Sequence, residues 1–263
     1  MLPLSRELQK LSAQKGQFLV RLAASREELN EAAEVRFAVF QRELKAGCVA
    51  HQTLEKDQDQ YDDYCHHLIL IDQPINKIVG TYRMQTYEIA SQYQGFYSDQ
   101  EFDLGSIPQN VIHHAVEIGR ACILKTYRNW RTFLLLWHGI ARYLTCHQKH
   151  YLFGCSSLMS RDVAQGYALM NYFQQYDLLH KEFRVYPKKA YQCVLPDTTG
   201  SALNTTMKTQ ELVLPKLLQI YLKFGARICS GPALDQVFGS IDFFTLFDIK
   251  QIQQKHGPFY IAS

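Results

Sequence analysis

VEIGRACILKTYRNWRTFLLLWHGIARYL, residues 116–144, combines two periodicities in one stretch. Val116 to Leu124 is short, apolar and rich in β-forming residues, which predicts a strand interrupted by Glu117 and Arg120. Apolar residues then recur three or four positions apart, which predicts an amphipathic helix, at Phe133, Leu136, Trp137, Ile140, Ala141 and Leu144. The turn between them, 125–131, is basic. Such a turn at a helix N-terminus can bind a phosphate through backbone N–H groups and the helix dipole; a solvated surface loop is the alternative.

The remaining elements predict a mixed α/β fold. A short amphipathic helix is expected within residues 1–16, a helix after the N-cap Ser25, a helix at 161–179 capped by Ser160, and a final one ending at Gly225. Strands are expected at 18–23, 68–72, 77–85, 116–124 and 151–158, with two more around 184–194 and others after Gly225. The long aperiodic connection 91–108 is typical of a lid or binding loop.

Composition excludes several classes of protein. The 263 residues are 47% hydrophobic, enough for a full core, yet no apolar run reaches the roughly 18 residues of a membrane span. No secretory signal is recognisable, so we expect a cytoplasmic protein with, at most, peripheral contact at the inner membrane face. Seven cysteines without CxxC spacing indicate neither a disulfide framework nor a zinc site. A net charge of +3 gives no reason to expect nucleic acid as a partner.

Charged residues stand at positions that the pattern makes apolar. Arg36 falls in the apolar stripe of its helix, where a guanidinium is costly unless it meets a carboxylate or snorkels to solvent. Four acidic residues precede the strand 68–72 and can supply that carboxylate, or form a polar loop: Asp57, Asp59, Asp62 and Asp63. Glu117 and Arg120 would face opposite sides of a regular strand, whereas a bulge at Gly119 would bring them to one side. His66 and His67 are interpreted as structural.

The central stretch resembles the GCN5-related N-acyltransferases (GNAT). In that family the fourth strand is followed by a loop of the type Tyr-Arg-Gly-x-Gly-x-Gly and then a helix, and Tyr127 and Arg128 match it. Asn129, Arg131 and Phe133 replace the three glycines, which would let a backbone approach a pyrophosphate. The loop therefore suits coenzyme A poorly. It favours the phosphopantetheine arm of an acyl carrier protein, which has one phosphodiester to hold.

Four further motifs narrow the resemblance. They are Arg36-x-x-Val39-Phe40, Asp57-x-Asp59-x-Tyr61-Asp62, Gly80-Thr81-x-Arg83 and Glu117-x-x-Arg120, and they resemble the acyl-homoserine-lactone synthases. The segment from Cys65 to Leu68, the Leu135-Leu136-Trp137 helix and the tail from Tyr221 to Phe243 are more similar to the ornithine-lipid N-acyltransferases. This resemblance covers about Phe18 to Ile249.

The resemblance implies a fold and a function. The fold is GNAT-like, a mixed, mostly antiparallel twisted sheet with a splayed fourth and fifth strand pair, flanked by helices. The function is that of a bacterial enzyme of lipid biosynthesis. It would move a (3-hydroxy)acyl group from acyl carrier protein to the α-amine of an amino acid. Ornithine is the first candidate for this amino acid, and the product would then be a lyso-ornithine lipid. We expect an N-terminal segment at 1–16, an acyltransferase core at 17–195, a polar connection at 196–211 and a C-terminal helix with strands at 212–263 packed on the core.

Roles for individual residues follow from the same resemblance. Glu117, with Arg120, is the expected catalytic pair, Glu117 acting as the base that frees the amine. Backbone N–H groups near the bulge, at Ala121 or Cys122, are expected to hold the oxyanion. The amino acid would be bound by Arg36, Asp59, Asp62 and Arg83; the alternative for this set is a buried ion network. The acyl donor would be bound by Cys122, Ile123, Leu124, Lys125, Arg128 and Arg131.

Several alternatives stay open at this point. Direct attack of the amine is favoured over an acyl-enzyme on Cys122, because no histidine or acid at a recognisable spacing activates that thiol. Glycine, lysine and glutamine stay open as alternative acceptors. A lactone synthase that binds S-adenosylmethionine is a second enzyme, and a non-catalytic carrier-protein or lipid-binding protein is a different class. No metal and no cofactor beyond the phosphopantetheine co-substrate is expected.

Overall fold

A computed structural model describes residues 4–46, 55–195 and 213–250. The chain divides into two compact units. The first unit holds the described residues up to Tyr97, those from Asn110 to Leu152, and those from Ile249. The second unit holds Ser98–Gln109 and Phe153–Asp248.

Strands and helices are numbered in chain order. The strands are β1 Ser12–Lys15, β2 Phe18–Leu22, β3 His66–Asp72, β4 Lys77–Thr86, β5 Phe102–Asp103, β6 Ala115–Ile123, β7 Tyr151–Leu158, β8 Tyr186–Pro187, β9 Arg227–Ile228, β10 Ala233–Asp235 and β11 Ser240–Asp248. The α-helices are α1 Arg6–Gln9, α2 Arg26–Phe37, α3 Tyr87–Gln92, α4 Gln109–His113, α5 Trp130–Cys146, α6 Val163–Gln175 and α7 Lys216–Lys223. A π-helical turn, Ala38–Glu43, continues α2, and a 3-10 turn, Gln60–Asp63, precedes β3.

The first unit is built on an antiparallel sheet in the order β1-β2-β3-β4-β6. α2 packs against β4 and β6, while α5 packs against β1, β2 and β3. Every residue of β3 is buried, as expected for a central strand between helices. Gly139 lets α5 approach the sheet closely, because a Cβ there would lie 2.7 Å from Val20 Cγ1 and 2.9 Å from Leu68 Cδ2.

A β-bulge interrupts the pairing of β4 with β6. Thr81 is opposite Cys122 and Arg83 is opposite Gly119, so two residues of β6, Arg120 and Ala121, span one position of β4. Arg120 has a φ of 49°, a left-handed conformation that costs a non-glycine residue about 1–3 kcal/mol. The prediction of a bulge is therefore confirmed, but its place at Gly119 was wrong by one residue.

The described part of the second unit contains the strands β5, β8, β9, β10 and β11 and the helices α6 and α7. β11 pairs antiparallel with β10 and with β9, and β5 pairs antiparallel with β8. α6 supplies Leu169 and Phe173 to a core that includes Ile241 and Phe243 of β11. α7 contributes Leu218 to the same core.

The predicted mixed α/β class with a mostly antiparallel sheet is confirmed. The N-terminal helix is one turn long, and Ser12–Lys15 is strand rather than helix. α6 is capped by Asp162 instead of Ser160 and ends at Gln175, because the chain leaves the helix just beyond it at Asp177, whose φ of 50° is left-handed. Around 184–194 only the two residues of β8 are strand, because Pro187 cannot donate to a ladder.

Three other expectations are not tested by the described residues. The connection 196–211 lies outside the described residues, and the predicted domain boundaries and the splay of the strand pair stay predictions. Among the described helices, none has both the length and the apolar composition needed to cross a bilayer.

Candidate active site

Arg36 is the centre of a buried ion network formed by Arg36, Arg83, Arg120, Asp57, Asp59 and Asp62. Its side chain is 1% exposed. One edge of the guanidinium meets both Asp62 oxygens, with Nη1–Oδ1 at 2.9 Å and Nη2–Oδ2 at 2.5 Å. Nε donates to the Asp57 carbonyl at 3.0 Å and lies 3.3 Å from Asp57 Oδ1. The expectation that Arg36 meets a carboxylate is confirmed.

Arg83 and Arg120 extend the same network toward the surface. Arg83 Nη1 donates to Asp59 Oδ1 at 2.5 Å and to Asp62 Oδ1 at 2.9 Å. Arg120 Nη2 donates to Asp59 Oδ2 at 2.9 Å, and its Nε lies 3.2 Å from Asp57 Oδ1. Three cations thus face three carboxylates, so the network is balanced in charge.

Exposure rises from one end of the network to the other. Arg36 and Asp62 are closed off from solvent, whereas Asp59 retains 21% and Arg120 13% of side-chain exposure. The accessible edge is therefore the Asp59–Arg120 pair. The inner residues have the contacts of a structural ion network.

The 3-10 turn before β3 explains how the aspartates reach the arginines. Asp59 is the N-cap, accepting from the Tyr61 amide at 2.9 Å, and Asp62 Oδ2 accepts from the Asp59 amide at 3.0 Å. This capping box fixes both carboxylates just before the start of β3, which pairs with β4, the strand that carries Arg83. Asp63, the fourth acid of the motif, pairs instead with the exposed Arg26.

Glu117 lies on β6 opposite Gln85, and its side chain is buried. Glu117 Oε2 accepts the backbone N–H of Tyr97 at 2.7 Å. The ring of Tyr97 faces two guanidinium groups, with Arg120 Cζ 4.9 Å and Arg83 Cζ 5.4 Å from its centroid. Tyr97 therefore links the predicted base to the ion network.

Sequence reasoning named Asp57 as one of four candidate carboxylates for Arg36 but did not place it in the site, and it assigned no role to Tyr97. Asp57 could have been placed in the site from the sequence, because it is the first residue of the motif that contains Asp59 and Asp62. Tyr97 had no periodic signal, since it lies in the aperiodic connection 91–108.

Burial and charge act in opposite directions on the aspartates. Burial raises the pKa of Asp62, but the guanidinium groups of Arg36 and Arg83 outweigh it and hold that pKa well below its usual value. Burial also raises the pKa of Asp59, but the positive charges of Arg83 and Arg120 outweigh it and lower that pKa. Both groups are carboxylates at neutral pH.

The thiol of Cys122 and the imidazole of His67 are buried near the same network. Burial raises the pKa of Cys122 to about 12, so the thiolate that nucleophilic attack requires is scarce at neutral pH. Burial lowers the pKa of His67 to about 3, and its Nε2 lies 3.7 Å from Asp62 Oδ1. A buried thiol that stays protonated is a poor nucleophile, which argues against an acyl-enzyme on Cys122.

The predicted donor-binding residues form the end of β6 and the turn into α5. The Ile123 carbonyl accepts from Arg128 Nε at 2.6 Å, and the Leu124 amide donates to Val79. Arg128 pairs with both oxygens of Glu43, at 2.5 and 2.7 Å. Lys125 and Arg131 are exposed.

Asn129 occupies the N-terminus of α5. Its Oδ1 accepts from the amides of Arg131 and Thr132, at 3.0 and 3.2 Å, and Thr132 Oγ1 accepts from the Asn129 amide. The amides that a glycine-rich loop would offer to a pyrophosphate are therefore bonded within the chain.

The second unit holds a separate group of carboxylates. One ligand oxygen from each of Glu101, Asp235 and Asp242 lies within 4.8 Å of the others, and all three residues are buried. Asp235 Oδ1 accepts two backbone amides, from Val237 and Phe238, each at 2.8 Å. In the described part of the chain this is the one group whose spacing suits a metal ion.

Comparison with known proteins defines the class. The family model of the GNAT acetyltransferase domain matches residues 35–138, which contain Arg36, Glu117 and the turn into α5. The solved structure of FeeM, an N-acyl amino acid synthase from uncultured soil microbes, superposes with a TM-score of 0.50 at 9% identity. It covers 90% of this chain and 93% of that one, and it shows the fold. The protein is a GNAT-type acyltransferase.

Curated relatives define the family within that class. The L-ornithine N(alpha)-acyltransferase of Agrobacterium fabrum is 32% identical over 255 residues, 93% of this chain and 85% of the relative. The enzyme of the same name from Brucella abortus is 32% identical over 259 residues, 94% and 90% of the two chains. The chain belongs to the L-ornithine N(alpha)-acyltransferase family.

Proposed function

We propose that this enzyme transfers a (3-hydroxy)acyl group from acyl carrier protein to the α-amine of ornithine, giving a lyso-ornithine lipid. Membership of a family whose relatives are named for acyl transfer to ornithine carries the proposal. The site adds chemistry that suits the reaction. It contains a buried carboxylate on the central strand and, beside it, an accessible aspartate and arginine.

In the proposed mechanism Glu117 accepts the proton of the attacking amine, directly or through a water molecule. The hydrogen bond from the Tyr97 amide orients the Glu117 carboxylate, which serves as the proton acceptor. Backbone N–H groups beside the bulge at Ala121 or Cys122 stabilise the oxyanion of the tetrahedral intermediate. The amine attacks the thioester carbonyl directly, and the thiol of the phosphopantetheine arm leaves.

The acceptor is held at the accessible edge of the ion network. Arg120 binds its α-carboxylate and Asp59 binds its side-chain ammonium, because both retain exposure while already carrying the required charge. The inner residues Arg36, Asp62 and Arg83 orient this pair. They are positioning residues in this scheme and do not touch the acceptor.

Acyl carrier protein is the proposed donor, because the amides at the α5 N-terminus are occupied by Asn129. Lys125 and Arg131 present two exposed cations beside that turn, suited to the acidic surface or the single phosphodiester of a carrier protein. Because the product is amphiphilic, we expect the enzyme to act at the inner face of the cytoplasmic membrane.

The test is mass spectrometry of the products formed by the purified protein from 3-hydroxyacyl carrier protein and a mixture of amino acids. An N-acyl ornithine formed in preference to other N-acyl amino acids is expected. Parallel reactions replace the carrier protein by coenzyme A, or the amino acids by S-adenosylmethionine. Consumption of the thioester only with S-adenosylmethionine would show a lactone synthase, and no consumption with any acceptor would refute acyl transfer.

A further inference from the structure

An open cavity of about 330 Å³ lies in the first unit, outside the ion network. Its wall includes His66 at the start of β3, Thr86 at the end of β4, Glu88 on α3, and His147 and Lys149 just after α5. Its volume is within the range of sites that bind small molecules. None of these residues has a role in the proposed reaction.

The hydrogen bond between His66 and Tyr143 fixes where the His66 proton lies. His66 Nδ1 is 2.8 Å from the Tyr143 hydroxyl, which is buried. The Tyr143 hydroxyl keeps its proton, since burial holds its pKa well above the usual value, and a buried hydroxyl proton needs an acceptor, which the nearby His66 Nδ1 provides. Nδ1 is then the acceptor, and the proton of the neutral imidazole is on Nε2. His66 thus offers an N–H donor at the wall of the cavity.

Two further nitrogen atoms lie at the same wall. Within the described residues, His147 Nε2 is buried and has no hydrogen-bond partner. The two imidazole rings lie 6.2 Å apart and nearly parallel, at 30°. Lys149 Nζ is the third, on a side chain only 7% exposed. It donates to the His113 carbonyl at 2.6 Å and to Glu88 Oε1.

The contact of Glu88 with Lys149 indicates which kind of ligand this wall can bind. It is the acid at this wall, its side chain is 57% exposed, and its carboxylate rests on the Lys149 ammonium. The Glu88 carboxylate thus already accepts from one donor of the wall, Lys149, and because it is largely exposed it can move away into solvent. Two neutral imidazoles that offer N–H groups beside one ammonium suit a carboxylate better than a metal ion, which would need the lone pair where His66 carries its proton.

We propose that this cavity is a second binding site, for the carboxylate of a small organic acid or free amino acid. The carboxylate accepts from His66 Nε2, from Lys149 and, once a turn of the ring brings it out of burial, from His147 Nε2 in the tautomer that carries its proton there. On binding it takes the place of Glu88 on the ammonium. This site is separate from the acceptor site proposed at Asp59 and Arg120.

The test follows the imidazole NMR signals of the full-length protein during titration with sodium acetate, against sodium chloride at equal ionic strength. Saturable shifts of the His66 and His147 signals with acetate alone are expected. L-alanine and ethylamine form the other arms. Tighter binding of L-alanine than of acetate would assign the site to amino acids, and equal or weaker binding to free acids. Response to ethylamine rather than acetate would overturn the proposal.

Two variants distinguish a built site from a general salt effect. His147→Leu should weaken acetate binding by about tenfold or more, since it removes a donor from the wall. His138→Gln, a histidine of α5 outside the cavity wall, should bind acetate as the wild type does. Glu88→Gln should strengthen binding by about threefold or more, because the competing internal carboxylate is gone. Unchanged or weaker binding in Glu88→Gln, or wild-type binding in His147→Leu, would contradict the assignment.

Discussion

Glu117 accepts the amide of Tyr97 at 2.7 Å, so the predicted base is oriented by the same residue whose ring faces Arg83 and Arg120. Glu117→Gln keeps an oxygen that can accept this hydrogen bond and removes the proton acceptor. We expect the rate of N-acyl amino acid formation to fall by about 10²–10⁴-fold, the usual contribution of a general base. Steady-state kinetics with acyl carrier protein measures the loss, and thermal unfolding should change little.

Glu31→Gln is the matched control for this substitution. Glu31 Oε1 also accepts a backbone amide, that of Ile78 at 3.0 Å, but it has no role in the reaction. Its variant should keep wild-type rates. A Glu117→Gln enzyme that turns over like the Glu31 variant would remove Glu117 from the mechanism and favour a binding protein.

Much of the site could be predicted because burial of charge is expensive. Arg36 in an apolar helical stripe required a carboxylate, and the acidic motif before β3 was the nearest supply along the chain. The structure brings Asp57 and Asp62 to it as that argument requires. Periodicity was enough for β4, β6, β7 and α5, whose apolar patterns are long and regular.

Contacts between distant residues could not be predicted in the same way. Gly119 was the natural place for a bulge, since glycine adopts unusual conformations readily. The left-handed residue is instead Arg120, where guanidinium contacts with Asp57, Asp59 and Tyr97 compensate for the backbone strain. Tyr97 lies in an aperiodic connection, twenty positions from Glu117 along the chain, and no local sequence pattern predicts their contact.

The closed end of the network should contribute to stability. Arg36→Met leaves the buried carboxylate of Asp62 without its two-point partner, so we expect the free energy of unfolding to fall by about 3–5 kcal/mol. Urea unfolding followed by circular dichroism measures this change. Arg26→Met removes an ion pair whose side chains are 54% and 59% exposed, and should cost at most about 1 kcal/mol. If Arg36→Met lowers the free energy of unfolding no more than Arg26→Met does, the buried ion pair of Arg36 does not stabilise the fold more than an exposed pair.

Stability should decrease in mild acid because His67 is buried in its neutral form. Its pKa is about 3 in the folded chain against 6.5 for the free group, so the unfolded chain binds more protons between those values. The contribution is complete above pH 6.5 and is lost as the pH falls toward 3. Asp62, with its lowered pKa, adds a further loss below about pH 4.

His67→Gln tests this assignment. The variant should show a smaller dependence of the unfolding free energy on pH between 6.5 and 4, by up to about 1.4 kcal/mol per pH unit for one proton. Urea midpoints at half-unit intervals of pH provide the measurement. His113→Gln, at an exposed histidine, should follow the wild-type curve. A His67→Gln curve parallel to that of the wild type would contradict the prediction.

Cys122 should be dispensable for the chemistry. Cys122→Ala is expected to keep the turnover rate within about threefold, because a thiol with a pKa near 12 is a poor nucleophile at neutral pH. Iodoacetamide applied to the native protein should modify the exposed Cys146 while leaving the buried Cys122 intact, as intact-protein mass spectrometry would show. An acyl thioester trapped on Cys122 would instead demonstrate an acyl-enzyme.

Arg131 should act on the donor through charge. It is exposed in the first turn of α5, whereas the neighbouring Arg128 is paired with Glu43. Arg131→Glu should raise KM for acyl carrier protein about fivefold or more at low salt, with little change in kcat, and the difference should shrink as salt screens the interaction. A small acyl thioester without a carrier should be used equally by both enzymes. Arg142→Glu makes the same change at an exposed position near the other end of α5 and should leave KM unaltered. If both variants raise KM alike, net charge rather than a carrier-protein contact near the turn determines donor affinity.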